Sequence, residues 1–256
     1  MASSSLAVAQ PADWQEVFDS GQEALQGGDL ARASESLSMA EQISRSMQQN
    51  DPRRARSLIG LARLHRAAGD YAKPEELYRE ADPAARAAFG PESVEYARFL
   101  NEVGRYYHTR RKYEPAERFY MQAFRLRVES LGKEHAEVAE SICNLAILFE
   151  NQMRLEKARM YYEHALSIRR KVLGDNDLET VETQEHFARL LAKLQLSEEA
   201  AEHAAKARAV RRPLLEKMIG EASASPDAVK AGIGIKAPEL IEQSEPLYSE
   251  EARIAR

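Results

Sequence analysis

Apolar residues recur at helical intervals along most of this chain. Ile142, Leu145, Ala146 and Phe149 stand at i, i+3, i+4 and i+7, and Leu155, Ala158, Tyr162, Ala165 and Ile168 resume the rhythm a few residues later. Such spacing lays one apolar stripe along a helix. A connection this short folds the second helix back antiparallel on the first. The pattern predicts helix pairs throughout and an all-α fold.

A longer period is superimposed on the helical one. With a shift of 42 positions Glu114 falls on Glu156, Ala116 on Ala158, Tyr120 on Tyr162, Ala123 on Ala165, and Leu131-Gly132 on Leu173-Gly174. The same register places Tyr71 under Tyr113, Tyr78 under Tyr120 and Phe89-Gly90 under Leu131-Gly132, and carries Phe187-Ala188, Leu191 and Ala200 downstream. Five units result, about 13–51, 52–92, 93–134, 135–176 and 177–220, the outer two most degenerate. They are flanked by a flexible start (1–12) and a tail (221–256), expected to be mostly disordered or docked as short helices. A fixed period of this length means that each unit buries its apolar face only against its neighbours.

Small residues mark where helices must approach closely: Gly104, Ala146 and Ala188 on first helices, Ala116, Ala158 and Ala200 on second helices. A larger side chain there would push the axes apart. Gly132 and Gly174 are placed for left-handed C-caps, Asp177 and Ser197 for N-caps, and Pro115 for a first turn. Pro74 and Pro83 fit less well. The second helix of that unit is expected to start late and to kink or restart at Asp82-Pro83.

Composition narrows the function classes. The chain is 44% hydrophobic and 30% charged but only 7% aromatic, which favours helices over sheet. A net charge of -5 gives no global attraction for polyanions, so nucleic acid is not an expected partner. No apolar run approaches the ~20 residues of a membrane span. The first residues lack the basic start and apolar core of a secretory signal. One cysteine, Cys143, cannot form an internal disulfide. A cytoplasmic protein is the expectation. The six histidines include no pair at metal-ligand spacing, and no GxxxxGK[ST], GxSxG or HExxH motif occurs. No metal, cofactor or catalytic residue is expected, and the reading is of a protein that is not an enzyme.

The helix pair with Gly or Ala at its close-packing columns, Tyr at the start of the second helix and Ala near its end resembles the tetratricopeptide repeat. The 42-residue unit, with second helices that run into "RLRVESLGKEHAEVA" and "SIRRKVLGDNDLETV", is similar to the repeats of kinesin light chains. His135 and Asp177 take the place of a frequent histidine of that family, with Ala136 and Leu178 where a proline often follows. The coiled-coil heptads and acidic linker of the family are missing. The resemblance implies a right-handed α-solenoid whose first helices line a concave face that binds extended peptide segments of another protein.

On that expectation, helical geometry selects the first-helix residues that point away from the packed seam. They are Arg56, Arg63 and Arg66; Arg98, Asn101, Arg105 and His108; Cys143, Ile147 and Glu150; and Glu182, Glu185 and Arg189. The face reads as basic in its N-terminal half and more acidic beyond. Arginine forks suit carboxylates, and Asn101 can bond a peptide backbone through both ends of its amide. An acidic, extended peptide is therefore the expected ligand, and a small anion held by the same arginines is the alternative. Cys143 reads as a packing residue, with a groove-facing position as the alternative. The tyrosine columns Tyr71, Tyr78, Tyr113, Tyr120 and Tyr162 read as core, and His65 as a buried, hydrogen-bonded imidazole. Trp14, Val17 and Phe18 read as a capping cluster, with exposure for self-association as the alternative. The tail carries Glu239, Glu242, Glu245, Glu250 and Glu251 around Leu240, Ile241, Leu247 and Tyr248, so it could fold back as a groove ligand or simply keep the chain soluble.

Overall fold

A computed structural model describes residues 13–223, with side chains to residue 213, and the helices it contains alternate first and second members as the apolar pattern predicts. The order is α1 (Trp14–Gln26), α2 (Leu30–Ser44), α3 (Pro52–Ala67), α4 (Lys73–Phe89), α5 (Val94–Thr109), α6 (Tyr113–Leu131), α7 (Ala136–Asn151), α8 (Leu155–Val172), α9 (Leu178–Lys193) and α10 (Ser197–Ser223). No strand occurs among the described residues. The stretch 1–12 and the tail beyond Ser223 lie outside the described residues, and so do the expectations placed on them. The last helix continues past Gly220 to Ser223. Two compact units divide the chain inside α5, one ending at Phe99 and one starting at Leu100.

Both units use one set of local signals. First helices are capped at their N-termini by a column of acceptors: Asp51 takes the amide of Arg53, Ser93 that of Tyr96, His135 that of Glu137 and Asp177 that of Glu179. Asp13 does the same for α1. The position that the resemblance marks as a histidine is thus a cap, and the chemically different residues there perform one task. Ser197, by contrast, is not a cap. It is the first residue of α10, and Leu196 accepts the first intrahelical bond, from Ala200.

Each first helix ends in a left-handed residue: Gly28, Gly69, Arg111, Met153 and Gln195 have φ of 78, 78, 56, 59 and 63°. The next amide bonds back to a carbonyl in the final turn, as Asp70 does to His65, Lys112 to Tyr107 and Arg154 to Phe149, each at 2.9 Å. This is the Schellman closure, which satisfies helix-end carbonyls while reversing the chain. Second helices end differently. Gly132 (φ 82°, ψ 168°) is not in the left-handed helical region expected of it but in an extended region open only to glycine, which Gly90 (φ 86°, ψ 138°) shares.

In α4 the late start is present and the restart is not. Pro74 sits in the first turn and α4 begins at Lys73, two residues later than the register of α6 at Tyr113 predicts. The helix then passes through Pro83 without interruption. Pro83 lies on the exposed side of α4 while its neighbours Ala81, Ala84 and Ala85 are fully buried, and Asp82 accepts from Tyr96 Oη at 2.6 Å and pairs with Arg86 at 3.1 Å. These contacts hold the helix across the backbone bond that proline cannot make.

The close-packing columns are as tight as their residues imply. A Cβ on Gly21 would lie 2.7 Å from Leu37 Cγ in the first unit, and one on Gly104 would lie 2.6 Å from the Tyr120 ring in the second. Ala62, Ala116, Ala146 and Ala158 are fully buried. Tyr78, Tyr120 and Tyr162 are core residues, while Tyr71 and Tyr113 are half-buried. Trp14 is buried, stacks on Phe18 at 4.7 Å and donates from its indole to Ser57 at 2.9 Å, so the aromatic pair caps the first unit rather than facing solvent.

Candidate functional site

In the first unit, the helix that carries the predicted basic face is α3. It contains Arg53, Arg54, Arg56, Arg63 and Arg66 and no carboxylate. Arg53 pairs with Asp51 at 2.7 Å and Arg54 with Glu80 at 3.8 Å, both at the helix start. Arg56 is exposed, and Arg63 and Arg66 are half-buried. His65, expected to be buried, keeps 35% of its side chain exposed and bonds Asp70 at 3.1 Å. It sits at the end of α3, where no further turn covers it. Amide donors of Ala72 and Lys73 and the nearby imidazole together hold the Asp70 carboxyl below its ordinary range. Arg98, at the same column as Arg56, is exposed beside Glu95 at 3.5 Å.

In the second unit the predicted face is occupied differently. Asn101 is 4% exposed, donates to Glu140 at 3.1 Å and accepts from Asn144 at 3.0 Å. Both ends of its amide are used inside the fold, so it does not offer them to a peptide. Glu150, 9% exposed, accepts from Tyr162 Oη at 2.9 Å and pairs with Lys193 at 2.7 Å. His108 lies in the same column one unit earlier, 3.4 Å from Tyr120 Oη and 2.8 Å from Asn151 Nδ2. Burial pushes its imidazole down to about 4, so the ring is neutral and accepts the Asn151 donor. Each of these two residues thus joins the second-helix tyrosine of its own unit to the first helix of the next. Cys143 is also a correction: its thiol is 7% exposed within the core, and burial raises its pKa. Asn101, Cys143 and Glu150 therefore build the wall of the face and are not open contacts on it.

What remains accessible there is narrower. Glu182 is exposed, and Arg105, Ile147, Glu185 and Arg189 are half-buried. Arg189 sits 2.7 Å from His186 Nδ1, and Glu185 pairs with Arg211 at 2.8 Å. Burial raises the Glu185 carboxyl, with Arg211 opposing the shift.

Sequence reasoning missed two buried arginines. Arg127, 2% exposed, donates to the Glu137 carbonyl at 2.9 Å and to Ser141 Oγ at 2.8 Å, and its other nitrogen lies 3.3 Å from Glu137 and 3.1 Å from Glu140. Arg169, one period later, makes the same contact with the Glu179 carbonyl at 2.6 Å, bonds Thr183, and pairs with Glu179 at 3.2 Å. The usable signal was the 42-residue recurrence itself, since Arg127 aligns with Arg169, Glu137 with Glu179 and Ser141 with Thr183. A guanidinium from one unit clamps the first turn of the next.

On the second-helix side of this unit a cleft of about 620 Å³ opens between α8, α9 and α10, lined by Glu163, Leu166, Ser167, Arg170, Lys171, Phe187, Glu199 and His203. Among the described residues no group of His, Cys, Asp and Glu is arranged to hold a metal ion. No described helix is long and apolar enough to cross a membrane.

The family model of the tetratricopeptide repeat matches residues 53–129 and 136–212, more than half of the chain. The chain belongs to the tetratricopeptide-repeat family. Its helix pairs, close-packing columns and C-terminal turns are thus tetratricopeptide features, and the fold fits a protein-interaction scaffold. The crystal structure of BtubC (BKLC) from P. vanneervenii is similar at a TM-score of 0.69 and 21% identity, covering 78% of this chain and 80% of that one. A Podosopora anserina putative kinesin light chain with nearly identical TPR-like repeats reaches 0.67 at 20% identity, covering 80% and 98%. The apo form of RapI reaches 0.68 at 17% identity, covering 82% and 74%. At these identities the likeness is one of fold, and it includes repeats of the kinesin-light-chain kind. Comparison with curated proteins gives no match.

Proposed function

We propose that this tetratricopeptide-repeat protein is a non-catalytic interaction scaffold that holds an extended, acidic segment of a partner protein on the first-helix face of its first unit. The observation that carries this reading is α3, a helix of five arginines and no acid. Arg56, Arg63 and Arg66 keep to one stripe by their spacing of seven and three. They extend over about 15 Å of helix, longer than a small anion and suited to several carboxylates in sequence. Guanidinium groups meet carboxylates with two parallel bonds, which fixes orientation as well as charge. The second unit's face has spent most of its polar groups on its own joints, which supports placing the charged contacts on α3.

A short fluorescein-labelled peptide of alternating Glu and Leu, titrated by anisotropy, tests the proposal. Arg56→Glu and Arg66→Glu should each weaken binding about tenfold or more, a loss of roughly 1.4 kcal/mol, with helical content unchanged by circular dichroism. Loss with Arg66→Glu but none with Arg56→Glu would instead favour the small-anion alternative. No loss with either removes α3 from the working surface.

A further inference from the structure

The cleft between α8, α9 and α10 is lined mainly by second-helix residues and includes none of the residues predicted for the first-helix face. Its floor is apolar: Leu166 and Phe187 are 3% and 4% exposed, and the His203 ring meets Phe187 edge-on at 4.9 Å. Its two ends carry opposite charge. Glu163 and Glu199 stand at one end, bridged by Arg159 at 3.0 and 3.3 Å, and Arg170 and Lys171 stand at the other. Lys171 pairs with Glu134, 60% exposed, and Arg170 with Asp175, 74% exposed, while a second Arg170 nitrogen donates to the buried Gln184 at 2.9 Å. Surface pairs of this kind contribute about 0–1 kcal/mol and exchange readily for another carboxylate.

We propose that a segment of this same chain, from Lys236 to Glu251, docks in this cleft. The order of its residues matches the order of the cleft. Lys236 comes first, for the Glu163 and Glu199 end; Leu240 and Ile241 follow, for the Leu166 and Phe187 floor; Glu242 and Glu245 come last, for Arg170 and Lys171. From Glu239 to Glu251 the chain has five glutamates and no basic residue.

The reach is sufficient. From Ser223, where α10 ends, back to Glu199 is about 36 Å of helix, while the residues between Ser223 and Lys236 extend to about 43 Å. Tethering at this length gives a millimolar effective concentration, so modest contacts suffice for docking. The docked segment lies over the apolar floor between the two charged ends of the cleft. This inference does not depend on the acidic-segment reading of α3, but α3 is the competing destination for the same glutamates.

Disulfide trapping in the full chain separates the two. Ser167 is exposed at the cleft, Arg56 is exposed on α3, and the native Cys143 is buried. A Ser244→Cys substitution is combined with Ser167→Cys in one protein and with Arg56→Cys in another, and intramolecular cross-linking under mild oxidation is timed. The Ser167→Cys pair should close at least tenfold faster, at a rate independent of protein concentration. Adding Leu240→Glu with Ile241→Glu, or Lys171→Glu, should slow it at least tenfold with helical content retained. Equal rates for the two pairs, a faster Arg56→Cys pair, a concentration-dependent rate, or indifference to the added substitutions would each overturn the proposal. A faster Arg56→Cys pair would leave the α3 reading standing, whereas loss of peptide binding to α3 would leave the cleft result untouched.

Discussion

The two units obey one repeat pattern yet join their helix pairs by different chemistry. At the position where the second unit buries Arg127 and Arg169, the first has Ala85, fully buried. Where Arg127 meets Ser141, the corresponding column holds Phe99, which packs with Tyr78 at 6.3 Å and Tyr96 at 5.9 Å. At these columns the α4–α5 joint is apolar and aromatic, with the Tyr96–Asp82 hydrogen bond beside it, and the α6–α7 joint is ionic and hydrogen-bonded. The lesson is that a repeat fixes spacing and shape while leaving the means of joining open. The difference reaches the surface as well: α3 of the first unit carries five arginines and no acid, whereas the second unit uses Asn101, Glu140, Glu150 and Lys193 in contacts between its own helices.

The largest effect should come from breaking an ionic joint. Removing one member of a buried, paired set costs about 3–5 kcal/mol because the partners are left uncompensated. Arg127→Ala should therefore lower stability by about that amount, read as a shift of the urea midpoint. A transplant sharpens the comparison: Arg127→Ala with Ser141→Phe reproduces the first unit's Ala85 and Phe99 and should recover much of the loss. If Arg127→Ala costs less than about 1 kcal/mol, the joints are not energetically distinct.

Next in size is the close approach of helices. In the second unit Gly104→Ala forces a Cβ to 2.6 Å from the Tyr120 ring, and overpacking of this kind costs about 1–3 kcal/mol. In the first unit Gly60→Ala meets Phe18, Gln22 and Leu37 at 3.2 Å, and the flexible Gln22 amide can give way. Helix propensity favours alanine by about 1 kcal/mol, so Gly60→Ala should be near neutral while Gly104→Ala destabilises. Thermal unfolding of the two variants checks the contrast. Equal losses would show that both seams are equally rigid.

These columns were legible from the sequence, because small apolar residues recurring at one period have a packing cause and little else. So were the helix pairs, the buried tyrosines Tyr78, Tyr120 and Tyr162, and the basic character of α3. The joints were not. Arginine at Arg127 reads as a solvated charge until the first turn of the following helix is known to lie against it. Of the N-cap column only Asp177 was read from the sequence, because Asp51, Ser93, His135 and Asp177 share an acceptor atom rather than one residue type. Asn101 and Glu150 were correctly placed on first helices, but their partners Asn144 and Lys193 lie 43 residues away. Helix geometry alone cannot show that such a side chain is already satisfied.

Acid should distinguish the units. Burial holds His108 and His186 down to about 4 in the second unit, with Arg189, Arg169 and Arg211 adding to the effect at His186. The first unit's His65 keeps a third of its side chain exposed. A histidine kept neutral in the fold takes up its proton mainly in the unfolded chain, which titrates near about 6.5. Its stabilisation is complete above that pH and is lost as pH falls toward 4, by up to about 3 kcal/mol per group. Urea midpoints should fall over this window, and His108→Gln with His186→Gln should flatten the slope. An unchanged slope would mean that the acid sensitivity lies elsewhere.

The smallest effect concerns the turns within pairs. The first unit places glycine at its left-handed positions, Gly28 and Gly69, whereas the second places Arg111, Met153 and Gln195 there. A side chain in this conformation is strained by roughly 1–2 kcal/mol relative to glycine, and glycine returns about 0.5–1 kcal/mol of that through its more mobile unfolded chain. Met153 is 74% exposed, so its side chain contributes little packing that substitution would forfeit. Met153→Gly should raise stability by several tenths of a kcal/mol, up to about 1, visible as a small rise in Tm. The converse, Gly69→Met, should lower it by a similar amount, because a Cβ at Gly69 meets no atom within 4 Å and only the φ of 78° opposes it. If Met153→Gly destabilises, the exposed methionine has a contact or a role that conformational strain does not describe, and the two units differ in their turns by more than glycine content.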